Sequence, residues 1–216
     1  MTESLRRFCR VLTVLGLCLA LPVGCVEGGG PGSGGSAAAP ASVSVGRGVT
    51  IAGPSGFCVD KTASKARPDG AFVLLGSCAS LSRSARAAQP AHPAILTASV
   101  TQAQTDPAAF AASFPSMARF LTSPAGRAAL SRSGKAASLR ILQIGSVGEV
   151  MYVRATDSAP ARGQAVETEY WRALLLAKGQ IVTLTVLGLR DKPLASGEKR
   201  AILEKFVARV RTANGP

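Results

Sequence analysis

The stretch ETEYWRALLLAKGQIVTLTVL, residues 167–187, decides the fold. Two runs rich in aliphatic, aromatic and β-branched side chains flank Lys178-Gly179, and this pattern predicts a tight β-hairpin. Two earlier runs of similar composition extend the hairpin into a sheet. The four predicted strands cover residues 139–144, 147–155, 167–176 and 181–187.

Upstream of these strands, the sequence predicts further extended segments and then a helical insert. The extended segments cover residues 49–60, 71–75 and 95–101. Asp106-Pro107 and Ser123-Pro124 each place a capping side chain before a proline, a pattern that is typical of helix starts. Pro115 lies between these starts, so we expect a kink or two short helices in its neighbourhood.

The C-terminal residues predict one more helix. We expect Ser196 to cap this helix, and we expect Gly134 to end the insert in a left-handed conformation. The apolar side chains of the last helix form a single stripe at helical spacing. The stripe consists of Ile202, Leu203, Phe206, Val207 and Val210. The element order predicts an α+β fold: an antiparallel sheet with a helical insert after the first strands and a C-terminal helix packed on the sheet.

The N-terminus has the features of an export signal. Three arginines precede residues 11–20, an apolar run shorter than the roughly 20 residues that a membrane-spanning helix needs. Gly24-Cys25 resembles the lipobox of bacterial lipoproteins, although that family prefers leucine where this chain has Pro22. The resemblance implies that Cys25 is diacylated and becomes the mature N-terminus. An ordinary signal peptide that is cut nearby, with Cys25 incidental, is the alternative.

The residues after Cys25 predict a tether. Gly, Ser, Ala and Pro dominate up to residue 46, a composition that favours a flexible coil. We therefore predict a signal peptide at 1–24, a lipid-anchored linker at 25–46 and a single domain at 47–214. The expected location is the periplasmic side of the cell envelope. Val26, rather than Asp, after the cysteine favours the outer membrane over the inner one.

The chain is strongly basic, with a formal net charge of +13. A basic exported domain can bind anionic lipid or another anionic envelope polymer, or a partner protein. Arginines scattered over the surface without a common ligand are the alternative. Nucleic acid is not an expected partner, because the chain is exported, has few aromatic residues and contains no nucleic-acid-binding motif.

Two cysteines, Cys58 and Cys78, fall inside the predicted domain. An even pair in an oxidising compartment predicts a disulfide, which would contribute roughly 3 kcal/mol through the unfolded state. Metal binding is not expected, because zinc generally takes three or four protein ligands. We predict no metal site and no cofactor.

Four segments of the predicted domain carry a family resemblance: Gly56-Phe57-Cys58-Val59-Asp60, FVLLGSC (residues 72–78), GRAALSRSG (residues 126–134) and Trp171-Arg172-Ala173. Together they resemble a family of uncharacterised exported proteins from Rhodobacter-like alphaproteobacteria. The resemblance spans about residues 47–214 and implies localisation and fold, but no activity. The order of the elements also resembles the α/β sandwich of the PsbP-like superfamily.

A tetrapeptide in the predicted domain resembles a catalytic motif. Asp60-Lys61-Thr62 resembles the phosphorylation motif of cation-transport ATPases, in which the aspartate carboxylate is phosphorylated. Ala63 replaces the glycine of that motif, and the sequence predicts neither a nucleotide domain nor membrane helices. We therefore reject the transport-ATPase interpretation and expect a polar turn at the end of a strand.

Other potential catalytic groups also lack their partners. Ser196 and Lys199 have the S-x-x-K spacing of penicillin-recognising enzymes, but the S-D-N and K-T-G motifs of those enzymes are missing. His92 is the only histidine and is expected in an exposed loop. Glu167 and Glu169 share a strand face, which we expect to be solvated.

The candidate ligand site is a patch of arginines beside the only tryptophan. Trp171-Arg172 places an aromatic ring and a fork of donors next to the hairpin, and Arg127 and Arg132 on a nearby helix could join them. Such a patch could bind an anionic or sugar group. The alternative is that Trp171 lies in the core and the arginines lie on the surface.

These observations predict a non-catalytic, lipid-tethered periplasmic domain that binds an envelope component or a partner protein. The first alternative is an envelope hydrolase or transferase whose active site is built from scattered residues, such as His92 or a carboxylate pair with perturbed pKa. The second alternative is a small-ligand carrier with an apolar cavity inside the sandwich.

Overall fold

The structure is a computed structural model, and it describes residues 38–104, 106–161 and 165–215, with the side chains of all of these except 102–104. These residues belong to one compact unit, Ser36–Pro216. The predicted signal peptide, Cys25 and most of the predicted linker lie outside the described residues.

The described residues contain the following elements. The strands are β1 (Ser42–Val45), β2 (Val49–Ala52), β3 (Phe57–Arg67), β4 (Gly70–Ser77), β5 (Ala94–Gln104), β6 (Leu139–Val147), β7 (Val150–Asp157), β8 (Val166–Ala177) and β9 (Gln180–Leu189). The helices are α1 (Cys78–Ser82), α2 (Pro107–Ala112), α3 (Phe114–Thr122), α4 (Pro124–Leu130) and α5 (Ser196–Asn214), with one 3-10 turn at Ala136–Ser138.

Seven strands form one antiparallel sheet in the order β3-β4-β5-β9-β8-β7-β6. Two meanders make up this sheet, β3 to β5 from the first half of the chain and β6 to β9 from the second. Pairing between β5 and β9 joins them, with Ala94 opposite Gly188 and Val100 opposite Val182. Because α2, α3 and α4 fall between β5 and β6 and α5 packs on the sheet, the predicted α+β fold is confirmed.

The main core lies between one face of the sheet and α5. All five residues of the predicted apolar stripe on α5 are buried there, together with β2 and the inward-facing side chains of the strands. Burial of one such aliphatic or aromatic side chain contributes about 1.5–3 kcal/mol relative to exposure. The C-terminal helix therefore closes this face of the sheet.

Helices α2, α3 and α4, which we call the helical insert, cover only part of the opposite face. Phe110 and Phe114 meet edge to face with ring centroids 5.1 Å apart, and they belong to a cluster with Met151 and Val153 of β7. The same face of β4 is less covered, and the Phe72 side chain there is 39% exposed. The insert thus ends part-way across the sheet.

The first strand lies in the segment that we expected to be a linker. β1 pairs with β2 from Ser42 opposite Ala52 to Val45 opposite Val49, so the folded chain begins before residue 47. Asn214 at the end of α5 fixes β2 to the helix, because its Oδ1 accepts the Thr50 N–H at 2.8 Å and its Nδ2 donates to the Thr50 carbonyl at 2.8 Å.

The predicted disulfide between Cys58 and Cys78 is confirmed, with a Cα–Cα distance of 4.8 Å. Cys58 lies in β3 and Cys78 is the first residue of α1, so the bond fixes this short helix to the end of the β3–β4 hairpin. Both cysteines are buried. The bond therefore joins the start of β3 to the start of α1 within the buried interior.

The helix starts in the insert are confirmed, and two other boundaries differ from the prediction. Asp106 caps α2 and Ser123 caps α4 through their side chains. The insert ends at Leu130 rather than at Gly134, because the chain is already extended at Ser131. The polar residues 61–67, which we did not predict to be extended, continue the edge strand β3.

The N-terminus of α5 also differs from the prediction. Ala195, not Ser196, is the capping residue, and the Glu198 carboxylate accepts the Ala195 N–H at 2.7 Å. The Ser196 hydroxyl instead accepts a hydrogen bond from Trp171 Nε1 at 2.9 Å. Its side chain therefore faces the sheet and is not available to cap the helix.

Among the described residues, the helices are too short or too polar to cross a lipid bilayer.

Candidate functional site

A groove of about 370 Å³ lies where the helical insert ends on the sheet. Two neighbouring rows of side chains from paired strands form its floor. One row runs from Leu74 through Thr97 and Thr185 to Arg172, and the other runs from Ile95 through Leu187 to Tyr170. Leu130, Arg132, Pro160, Ala161 and Val166 form the walls. We call this site the arginine groove.

Arg172 supplies positive charge to the floor of the arginine groove. It is half-buried, and its Nε donates to Thr185 Oγ1 at 3.2 Å. Its guanidinium carbon lies 5.2 Å from the centroid of the Tyr170 ring. It forms no ion pair with any carboxylate among the described residues. Burial lowers the pKa of Arg172 from its ordinary value, and the neighbouring Arg132 charge acts in the same direction.

Tyr170 supplies an unpartnered donor beside this charge. Its side chain is only 2% exposed, and its hydroxyl has no hydrogen-bond partner within the described part of the chain. Burial raises the pKa of Tyr170, whereas the charges of Arg172 and Arg132 act to lower it. The phenol therefore keeps its proton at neutral pH and can donate it in a hydrogen bond.

Arg132 positions the wall of the groove. Its Nη1 donates to the Ala159 carbonyl and its Nη2 to the Glu167 carbonyl, both at 3.1 Å. The Asp157 carboxylate, which is fully buried, accepts the N–H groups of Arg132 at 2.7 Å and Ala159 at 2.9 Å. Each terminal amino group of Arg132 thus already donates to a backbone carbonyl, whereas the terminal amino groups of Arg172 have no partner among the described residues.

The structure brings only two of the four predicted patch residues together. Arg132 and Arg172 both line the arginine groove. Trp171 is 5% exposed and packs in the core on the opposite face of the sheet, because successive side chains of β8 point to opposite faces. Arg127 is half-buried outside the groove lining, and its Nε has no hydrogen-bond partner among the described residues.

Sequence reasoning missed Tyr170 and Thr185, which complete the polar part of the groove. Tyr170 lies two residues before Arg172 and therefore on the same face of β8. The alternation alone could have placed Tyr170 beside Arg172. Thr185 required the β8–β9 register, in which it is directly opposite Arg172.

A second polar cluster lies on the other face, beneath the start of α5. Lys199 is 2% exposed, and its Nζ lies 3.2 Å from Glu167 Oε2 and 3.6 Å from Glu169 Oε1. Arg154 completes the cluster through a 2.8 Å ion pair with Glu169 Oε2. A Cβ atom at Gly188 would collide with the Glu167 carboxylate, so this glycine provides the necessary space. The expectation that Glu167 and Glu169 are solvated is therefore wrong.

The Glu169 carboxyl in this cluster is held in its ionised form. Burial alone would raise its pKa, but hydrogen bonds from Arg154 and Ser196 and the Lys199 charge outweigh that effect. The pKa of Glu169 consequently lies below its ordinary value. A general acid at neutral pH would need the opposite shift, so this carboxylate pair has the character of a structural ion-pair network.

The remaining predicted motifs occupy peripheral positions. The His92 side chain is 49% exposed and lies 3.3 Å from Glu198. Asp60 Oδ1 accepts the Thr62 hydroxyl at 2.6 Å and the Thr62 N–H at 2.8 Å, within an irregularity of β3. The hydroxyl hydrogen bond is the largest influence on the pKa of Asp60, which is lowered. This carboxylate organises the strand irregularity.

No group of three or more potential metal ligands occurs in the described ranges.

No protein-family model, curated protein or solved structure matches this chain. The resemblances to the alphaproteobacterial family and to the PsbP-like sandwich stay predictions.

Replacement of Lys199 by methionine should strongly destabilise the domain. The substitution keeps most of the aliphatic volume but leaves Glu167 and Glu169 without their shared cation. Breaking a buried ion pair in this way costs about 3–5 kcal/mol. Urea unfolding should show this loss, whereas Lys205→Met, at an exposed position of the same helix, should change the unfolding free energy by less than about 0.5 kcal/mol. Equal losses of unfolding free energy in Lys199→Met and Lys205→Met would contradict a stabilising ion-pair network around Lys199.

Glu169 should make stability depend on acid pH. Its folded pKa lies below the ordinary value of 4.5, so its contribution is complete well above that value and is lost as the pH falls towards the folded pKa. Glu169→Gln should therefore destabilise the domain at pH about 7 and have a much smaller effect at pH about 3.

The measurement is the unfolding free energy of both proteins across this acid range. Glu149→Gln, at an exposed position, removes the same charge from the surface and serves as the control. A constant difference between wild type and Glu169→Gln at every pH would disprove the assignment.

Proposed function

We propose that this chain is a non-catalytic binding domain, held on the periplasmic side of a bacterial envelope by a lipid on Cys25. The outer membrane is the favoured location. In this proposal the domain binds an envelope component or a partner protein through the arginine groove. One observation carries the binding role: the terminal amino groups of Arg172 and the Tyr170 hydroxyl lie in an accessible groove without hydrogen-bond partners among the described residues.

The energetics of polar groups support this role. A buried donor without an acceptor costs free energy, and a half-buried cation without an anion loses hydration without full compensation. A ligand that supplies acceptor oxygens would remove both costs. The positive charge on the floor also favours an anionic group, because no side-chain carboxylate among the described residues is paired with it.

The two alternatives have less support. A hydrolase or transferase built on Glu167 and Glu169 would use carboxylates that Lys199 and Arg154 already bind. His92, the other candidate, lies on the surface with Glu198 as its neighbour. A carrier with a cavity inside the sandwich would need space that the apolar stripe of α5 occupies.

The anchor is tested by the intact mass of the protein extracted from the envelope. The wild-type chain should begin at Cys25 and carry a diacylglycerol-plus-acyl increment, because the lipobox-like junction directs lipidation there. Cys25→Ala should lack the increment. An unmodified wild-type chain with a different N-terminus would remove the lipid anchor from the proposal and leave the groove unaffected.

The binding role is tested by native mass spectrometry of the same envelope-extracted chain. A non-covalent adduct should accompany wild type and Arg119→Ala, which removes an exposed arginine of α3. Arg172→Ala should lose most of the adduct, because a charged hydrogen bond contributes about 1.5–3 kcal/mol. Absence of any adduct, or an adduct of equal abundance in Arg172→Ala, would contradict binding in the groove.

A further inference from the structure

We infer that the ligand of the arginine groove is a small amphiphile with one carboxylate head and an unbranched apolar tail. This inference rests on the proposed binding function and adds the chemical class of the ligand. It follows from how polar and apolar side chains are arranged on the floor of the groove and from the number of free donors there.

The floor changes in polarity along its two rows, from Arg172 and Tyr170 on β8 to Leu74 and Ile95 at the far end. Thr97, Thr185 and Arg172 lie side by side on β5, β9 and β8, because the strand register places each opposite the next. In the neighbouring row, Ile95 and Leu187 present apolar surface, and both are only half-buried. A ligand lying along the floor must therefore combine a polar end with an apolar body.

Apolar surface also lies at the β4 end of the floor and on the walls. Leu74 extends the floor onto β4, and Leu130 and Val166 contribute to the walls. The tail would lie against aliphatic side chains and displace water from them, which favours binding. The floor crosses four strands but is only two rows wide, so an extended unbranched chain fits along it better than a bulky ring system.

The donors at the polar end fit a single carboxylate. The Arg172 guanidinium can bind two oxygens with its fork of N–H groups, and the Tyr170 hydroxyl adds one further donor. Arg132 contributes charge, but its two terminal amino groups are held by the Ala159 and Glu167 carbonyls and are less free to turn towards a ligand. Asp157 lies near enough to affect the pKa of Arg172 and Tyr170. One free cation beside a buried carboxylate favours a monoanion over a doubly charged phosphate.

Isothermal calorimetry with defined probes tests this inference on the exported Cys25→Ala chain, which has no lipid at that position. The probes are dodecanoate, dodecanol, acetate and dodecyl phosphate, each below its micelle-forming concentration. Dodecanoate should bind at least about tenfold more tightly than dodecanol and acetate, since a charged hydrogen-bonded pair and the tail contacts each contribute more than about 1.4 kcal/mol. It should also bind more tightly than dodecyl phosphate, whose second negative charge would lie near Asp157.

Variants of the polar end identify the contacts. Arg172→Ala should weaken dodecanoate binding about tenfold to a hundredfold, and Tyr170→Phe, which keeps the ring, about threefold to tenfold. The dodecanoate affinity of Arg172→Lys should lie between those of wild type and Arg172→Ala, because lysine keeps the charge but lacks the forked pair of donors. Arg119→Ala is the matched control and should bind like wild type. Thermal unfolding shows whether each variant is folded. If Arg172→Ala does not fold, Tyr170→Phe and Arg172→Lys still test the contacts.

Each contrary outcome overturns a defined part of the inference. If dodecanol bound as tightly as dodecanoate, the inferred carboxylate would be wrong. If acetate bound as tightly, the inferred tail would be wrong. Tighter binding of dodecyl phosphate would indicate a phosphate head group instead of a carboxylate. No binding of any probe, together with an Arg172-dependent adduct from the envelope, would reject this ligand class and keep the proposed function. No probe binding and no adduct would reject both.

Discussion

The pairing of β5 with β9 is the constraint on which the rest of the structure depends. It joins a meander from the first half of the chain to a meander from the second half, and neither contains the whole sheet. The register of this pair brings Thr97 beside Thr185 and Ile95 beside Leu187. A shift by one residue would turn these side chains to the other face and dismantle both the core and the arginine groove. Fold and candidate site thus depend on the same ladder of backbone hydrogen bonds.

Strand β8 shows how one segment serves two purposes. Trp171 points into the core, where Ser196 accepts its indole N–H and the Arg200 guanidinium lies 5.0 Å from its ring centroid. Tyr170 and Arg172 point into the groove on the opposite face. Because strand side chains alternate, the core residue fixes the direction of its neighbours without contacting them. The packing of Trp171 in the core therefore fixes the orientation of Tyr170 and Arg172 in the groove.

Much of the fold followed from local patterns, and the candidate site followed from them only in part. The hairpin at Lys178-Gly179 has positive φ at both residues, 49° and 73°, as a tight turn between strands requires. β1 was missed because its short alternating sequence lies next to a Gly- and Pro-rich segment. Lys199 was missed as a buried residue, because a helical lysine is usually solvated and its carboxylate partners come from β8. The groove joins strands that are distant in sequence, so the arrangement of its polar and apolar side chains could be derived only from the sheet register.

The clamp between Asn214 and Thr50 has a consequence for the time course of folding. These residues are 164 positions apart, and their two hydrogen bonds join the second strand to the last turn of the last helix. A chain that is synthesised from the N-terminus cannot make this contact until nearly all of its residues are present. Contacts between such distant residues slow folding, because the intervening chain must be ordered before they form. The early strands therefore lack this contact until the C-terminal helix is available to pack on them.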